Sequence, residues 1–203
     1  MSAATPRTAP DPAPCPAPGT FVAVIGASGA GKDTILAGAR AALAGEPAFL
    51  FPRRLITRPA DQHEDNEAIS PDAFDVQARS GAFLLYWNAN RHSYALPASL
   101  ERDLENGRHI VTNVSRTVVE EIRHRFLKSL VVEIRVDPIV LIERLARRGR
   151  ESADAQAERF RRSASLAAMP TADLVIDNTG EAEVALAHFI KVLERLRGGS
   201  RPD

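Results

Sequence analysis

The stretch "GASGAGKDT", residues 26 to 34, follows directly on the apolar run "FVAVI" and constrains the fold more than any other part of the chain. Glycines at 26, 29 and 31 let successive backbone N–H groups converge on phosphate oxygens, and a helix opening at Lys32 turns the positive end of its dipole to the same point. Lys32 adds a point charge for β- and γ-phosphates. GxxxxGK between an apolar strand and a helix is a nucleotide-binding loop. Gly26, Ala27, Ser28, Gly29, Ala30, Gly31, Lys32, Asp33 and Thr34 are therefore the expected nucleotide-binding segment. One position is out of pattern. The residue after the lysine should carry a hydroxyl for magnesium, and here it is Asp33, with the hydroxyl one place later on Thr34.

A chain of 203 residues can bury one core and is too short for two comfortable domains. We expect an Ala/Pro-rich disordered tail over 1–19 and one kinase domain over 20–198. The tail holds six prolines and no long apolar run, so it is not expected to act as a leader. Lys and Arg number 26 against 26 Asp and Glu, which removes the field that would draw the chain to nucleic acid or an anionic membrane. No segment reaches membrane-spanning length. The single Cys15 excludes an intramolecular disulfide and a Cys-rich zinc site, and a reducing compartment is permitted.

From Phe21 onward, short β-rich runs alternate with longer amphipathic stretches, which predicts an α/β fold with a parallel sheet flanked by helices. "FVAVIG", "RRLIT", "AFLLYWNA", "HIVTNVS", "SLVVEIRVD" and "ADLVIDN" read as strands, "RRLIT" as the second. "GKDTILAGARAAL" reads as a helix with Ile35, Leu36, Ala39 and Leu43 on one face. Further helices are expected over "DAFDVQARSG", stopped by Gly81; "PASLERDLENG", begun by Pro97 and ended by Gly107; "PIVLIERLARRG", started by Pro138 and continued as a charged arm; and "EAEVALAHFIKVLERLRG", capped by Gly198 and Gly199.

Three further clusters could carry chemistry. In "RLARRGRES", 144 to 152, Arg144 and Arg148 share a helical face before the break at Gly149, and "ERFRR" follows at 158 to 162. The set is a solvated basic face or a lid whose cations spread the charge of a transferring phosphoryl group. In "RRLITRPADQHEDNEAIS", 53 to 70, Arg54 and Arg58 could clamp an acceptor phosphate or be surface residues. In "FLLYWNANRHSYALP", 83 to 97, Tyr86, Trp87, Asn88 and Tyr94 suit an acceptor pocket or a core strand, with Leu84 and Tyr86 on the face opposite Leu85 and Trp87. His63, His92, His109, His124 and His188 show no metal-ligand spacing and read as structural or surface.

Taken in order, "GASGAGKDT", "RLITRPA", "YWNA" with "YALP", "NVSR", "RGRES" and "VIDNTG" resemble the ribose 1,5-bisphosphate phosphokinases of phosphonate degradation, over Phe21 to about Leu196. That family is itself similar to guanylate kinases. The resemblance implies a guanylate-kinase-like P-loop fold with a small acceptor-binding segment and a helical lid. It further implies a cytoplasmic enzyme that uses ATP and Mg2+ to convert α-D-ribose 1,5-bisphosphate to 5-phospho-α-D-ribose 1-diphosphate. Its partners are small molecules, with neither nucleic acid nor membrane; homodimerisation stays open. The alternatives are a nucleoside monophosphate (guanylate) kinase and a guanylate-kinase-like binding module without catalysis.

Guanylate kinases carry a second phosphate-binding arginine where this chain has Asp61. Their guanine-reading acidic and hydroxyl residues match Asn88 and Leu96, and two aspartates on the following strand match Asn113 and Ser115. The lid threonine matches Arg150. By resemblance, Lys32, Arg148, Arg150 and Arg159 are catalytic; Arg144 and Asn178 join the loop in holding the nucleotide; Arg54, Arg58, Asn88, Tyr94 and Asn113 contact the acceptor. Asp33 is the expected metal residue, replacing from the loop the carboxylate missing at Asn113 or Ser115.

Overall fold

The computed structural model describes residues 17–59, 66–147 and 172–198. In chain order the elements are β1 (Phe21–Ile25), α1 (Lys32–Ala42), β2 (Phe49–Leu50), β3 (Arg54–Ile56), β4 (Asn66–Ala68), α2 (Pro71–Arg79), β5 (Phe83–Ala89), β6 (His92–Pro97), α3 (Leu100–Glu105), β7 (His109–Asn113), a 3₁₀ turn (Arg116–Val118), α4 (Val119–Arg125), β8 (Ser129–Arg135), α5 (Pro138–Arg147), β9 (Leu174–Asp177) and α6 (Ala182–Arg197). Five strands form a parallel sheet in the order β2-β7-β1-β8-β9, and four form a second, mixed sheet in the order β4-β3-β6-β5. This is the α/β architecture that the alternation of strands and helices predicts.

β1 is central because all five of its residues are apolar and it is buried on both faces. Val22 and Val24 pack with Ile35 and Ala39 of α1 and with Phe189, Val192 and Leu193 of α6. Phe21, Ala23 and Ile25 pack on the other side with Val119 and Ile122 of α4 and, from the mixed sheet, with Trp87 and Tyr94. The mixed sheet therefore leans on the face of β1 that α1 does not cover. Phe74 of α2 and Phe83 cover the mixed sheet's outer side, with ring centroids 4.9 Å apart.

Several expected boundaries move. "RRLIT" does not supply the second strand of the parallel sheet: that place goes to the two-residue β2, and β3 belongs to the mixed sheet. Pro97 ends β6 rather than opening a helix, and α3 starts at Leu100. Gly81 and Gly107 do stop their helices, with φ of 73° and 84°. Gly198 follows α6 with φ −76°, so it closes the helix without the left-handed turn a glycine cap usually makes. In β5 the register slips between Phe83 and Leu85, so Leu84 and Leu85 both enter the inner core while Tyr86 stays outside at 54% exposure. That bulge overturns the expected alternation for Leu84 and leaves it intact for Tyr86 and Trp87. Gly19, the last residue of the expected tail, is already tied in, its N–H donating to Leu104 O at 2.7 Å. No helix among the described residues is long and apolar enough to cross a membrane.

Candidate active site

The loop between β1 and α1 is built around backbone that only glycine adopts easily. Gly26, Gly29 and Gly31 have φ of 148°, 90° and 89°. A Cβ on Gly26 would lie 2.4 Å from Ile134 O, and one on Gly31 would lie 2.4 Å from Asn178 Nδ2. Ala30 is fully buried and pins the loop, whereas Ser28 and Thr34 are exposed. Lys32 folds back over the loop, its Nζ donating to Gly26 O at 3.0 Å and Ala27 O at 2.8 Å. The ammonium is thus held against the loop's own carbonyls, at the strand-to-helix turn where a polyphosphate would meet the start of α1.

Asn178 follows β9 and closes the loop from below. Its Nδ2 donates to Ala30 O at 2.7 Å, and its Oδ1 is buried with no hydrogen-bond partner among the described residues. Next to it, Arg144 of α5 donates to Thr179 O and Gly180 O at 3.5 and 3.3 Å, which joins α5 to the turn after β9. Asp177 accepts from Thr179 N and Oγ1, and these bonds hold its carboxyl below the ordinary range.

Asp33 stands at the mouth of the loop, in the first turn of α1, half exposed. Asn113, at the end of β7, donates from Nδ2 to Asp33 Oδ1 at 2.8 Å. The amide must present its NH₂ here, since an oxygen in that place would face a carboxylate oxygen. On the opposite side, Arg54 of β3 brings a guanidinium nitrogen to 4.0 Å from the same Oδ1. Arg54 Nε also donates to Asn66 Oδ1 at 3.1 Å, and its guanidinium carbon lies 5.6 Å from the Tyr94 ring centre. Tyr94 stacks on Trp87 with centroids 5.6 Å apart and planes 4° from parallel. One continuous chain of contacts, Asn113–Asp33–Arg54–Tyr94–Trp87, therefore joins the phosphate loop to the mixed sheet.

On that sheet Asn88 is exposed at the end of β5 and its Oδ1 accepts from Ser93 Oγ at 2.8 Å, while Leu96 is fully buried in the inner core. Arg58 is half-buried just beyond β3. The structure thus brings together Lys32, Asp33, Arg54, Tyr94 and Asn113, places Asn178 and Arg144 behind the loop, and leaves Asn88 at the rim. Arg148, Arg150, Arg159 and Asp61 lie outside the described residues. Sequence reading passed over Asn66, buried and bonded through its carbonyl to Arg53 and through its side chain to Arg54. The only hint would have been a lone amide among charged residues. His109, expected to be structural or surface, is structural: its Nδ1 accepts from Thr20 N at 3.0 Å and its ring stacks on Phe49.

No protein-family model matches the chain. Among curated proteins it is 46% identical over 173 residues to ribose 1,5-bisphosphate phosphokinase PhnN of Methylobacterium radiotolerans, covering 85% of this chain and 96% of that one. It is likewise 46% identical over 182 residues to the protein of the same name from Acidiphilium cryptum, covering 90% and 96%. Among solved structures it is similar to guanylate kinase from Anaplasma phagocytophilum, with TM-score 0.62 over 88% of this chain and 86% of that one at 16% identity, which shows the shared fold. The phosphate loop, the leaning mixed sheet and near-complete coverage of these relatives lead to one assignment: the chain belongs to the ribose 1,5-bisphosphate phosphokinase (PhnN) family, on a guanylate-kinase-like fold.

Proposed function

We propose that this chain transfers the γ-phosphoryl group of ATP to the 1-phosphate of α-D-ribose 1,5-bisphosphate, giving 5-phospho-α-D-ribose 1-diphosphate and ADP in the cytoplasm. The observation that carries the reading is the contact chain from Asn113 through Asp33 and Arg54 to Tyr94, which couples an intact phosphate loop to an acceptor wall. A binding module that had lost catalysis would have no need to keep both ends. The acceptor's identity rests on the names of the relatives.

In this reading Lys32 and the loop N–H groups hold the β- and γ-phosphates, with Asn178 and Arg144 supporting the nucleotide side. Arg58, Arg54, Tyr94 and Asn88 position the sugar phosphate, and Arg148, Arg150 and Arg159 supply cations over the transferring group. An acceptor phosphate is already ionised and nucleophilic at neutral pH, so alignment and charge neutralisation suffice without a general base. Magnesium fits the loop mouth: it takes one or two carboxylates along with phosphate oxygens and water, and Asp33 offers a half-exposed carboxylate oriented by Asn113. When bound it would neutralise charge between the β- and γ-phosphates. Were residue 113 a second aspartate, two carboxylates would meet at hydrogen-bond distance, so the carboxylate at 33 and the amide at 113 form a matched exchange.

Guanine presents N–H donors on its recognition edge and needs acceptors. Asn88 offers one neutral amide oxygen, already accepting from Ser93 Oγ, in place of a carboxylate, and Leu96 is apolar and buried, so a GMP acceptor would be poorly matched. The test is ³¹P NMR of the protein with Mg-ATP and, in separate tubes, ribose 1,5-bisphosphate and GMP. We expect diphosphate resonances of the product in the first tube alone. Turnover of GMP alone would replace this reading with a nucleoside monophosphate kinase, and silence in both would leave the binding module.

A further inference from the structure

At the carboxyl end of the parallel sheet a second cationic group stands apart from the residues named above. Arg116, just after β7, places a guanidinium nitrogen 2.5 Å from Glu133 Oε1, and Arg135 places one 2.9 Å from Glu133 Oε2. β7 and β8 flank β1 on either side, about 10 Å apart at two inter-strand spacings. The Arg116–Glu133 pair therefore spans the end of β1 where the phosphate loop begins. Glu133 pairs in register with Ile25, the last residue of β1.

The face is given by alternation along the strand. Val132 and Ile134 point to the side of α1 and α6, so Glu133 between them points to the other side, with Val131, Ile25 and the mixed sheet's Trp87 and Tyr94. Asn113 makes its contact with α1 on the first side. Donor phosphates held by Lys32 and the magnesium carboxylate lie there; Arg116 lies on the acceptor side of the same strand ends. Its side chain is 15% exposed and that of Glu133 is 17% exposed. Arg135 is 61% exposed and also faces Asp177, its partner on β9, so the largely desolvated cation is Arg116, with one nitrogen on Glu133, at the strand ends where open parallel sheets bind ligands.

The proposed acceptor carries two phosphates. The attacked one must reach the loop, which leaves the other directed away from it. Resting on that functional reading, we propose that Arg116, oriented by Glu133, binds the non-reacting 5-phosphate of the acceptor, and so selects a sugar bisphosphate over a monophosphate. Guanidinium forks suit a terminal phosphate, and loss of one charge-assisted contact of this kind costs about 2 kcal/mol, or about 30-fold.

The test compares wild type, Arg116→Gln and Arg116→Lys by steady-state kinetics, and by calorimetric titration with ribose 5-phosphate, which carries only the phosphate in question. For Arg116→Gln we expect KM for ribose 1,5-bisphosphate to rise about 30-fold with KM for ATP changed less than about 2-fold, and ribose 5-phosphate affinity to fall by a similar factor. Arg116→Lys should recover part of both. Equal losses for ATP and acceptor, or an acceptor KM within about 3-fold of wild type, would overturn the assignment. If Arg116→Gln does not fold, Arg116→Lys alone decides, since an unchanged acceptor KM there excludes a forked contact. Failure of wild type to turn over the bisphosphate would sink the functional reading instead. In that case ribose 5-phosphate titration still decides, with binding weakened in Arg116→Gln supporting the site and equal or absent binding overturning it.

Discussion

Asp33 is the residue at which this loop departs from its pattern, and its contacts show how a carboxylate is held at the mouth of the loop. Asn113 donates to it from one side and the Arg54 guanidinium stands 4.0 Å away on another, so its charge is oriented and partly balanced. Asp33→Asn is a clean probe, because an amide oxygen can still accept from Asn113 while the charge is gone. In our reading the magnesium concentration giving half-maximal rate should rise about 10-fold and kcat should fall about 100-fold, the scale of losing one well-placed charge from a phosphoryl-transfer site. A magnesium titration of initial rates measures both. An unchanged titration would show that Asp33 does not serve the metal. The loop was legible in the sequence because glycines, lysine and flanking strand occur at fixed spacing. Asn113 as the partner of Asp33 was not, since they are 80 residues apart and only the parallel pairing of β7 with β1 brings them together.

Among the elements, the β5–β6 hairpin, the acceptor wall in our proposal, has a turn that carries a mismatch between residue and backbone. Asn90 and Arg91 have φ of 50° and 66°, the two left-handed residues of a type I′ turn. Asparagine tolerates that region; arginine does not gain from it, and glycine would. Arg91→Gly should therefore stabilise the protein by about 0.5–1 kcal/mol, seen as a rise in Tm of about 1–4 °C by differential scanning calorimetry. A fall would mean that the Arg91 side chain contributes more than the strain removed. The same hairpin shows why part of the fold could not be read from the chain. β1, α1, α5 and α6 have strong periodicity and recognisable starts, and all are found. β2 and β4 are two and three residues long, too short to show a period. The bulge that turns Leu84 inward leaves no local mark, because "FLL" fits either register. α4 was missed because polar "EEIRHR" buries little beyond Val119 and Ile122.

Across the whole molecule the two ends of the parallel sheet divide their work. The carboxyl end carries the loop, Asp33 and Arg116; the amino end is tied for stability, with Gly19 N donating to Leu104 O, Phe21 N to Lys128 O and Thr20 N to His109 Nδ1. His109 at this end has a displaced titration. Burial, and secondarily the nearby Lys128 charge, lower its pKa from the ordinary 6.5. Protonation would also put a hydrogen on Nδ1, where Thr20 N needs an acceptor. The sign follows. The unfolded chain, with the ordinary value, binds the proton more readily than the folded one, so stability is full above about pH 7, falls as pH drops through 6.5, and levels off below the folded pKa. Urea unfolding at a series of pH values between about 7.5 and 5 should show the midpoint falling with acid in wild type. In His109→Asn, whose Oδ1 can still accept from Thr20 without titrating, that part of the slope should vanish. Identical slopes in the two proteins would place the acid sensitivity elsewhere and reduce His109 to a packing residue on Phe49.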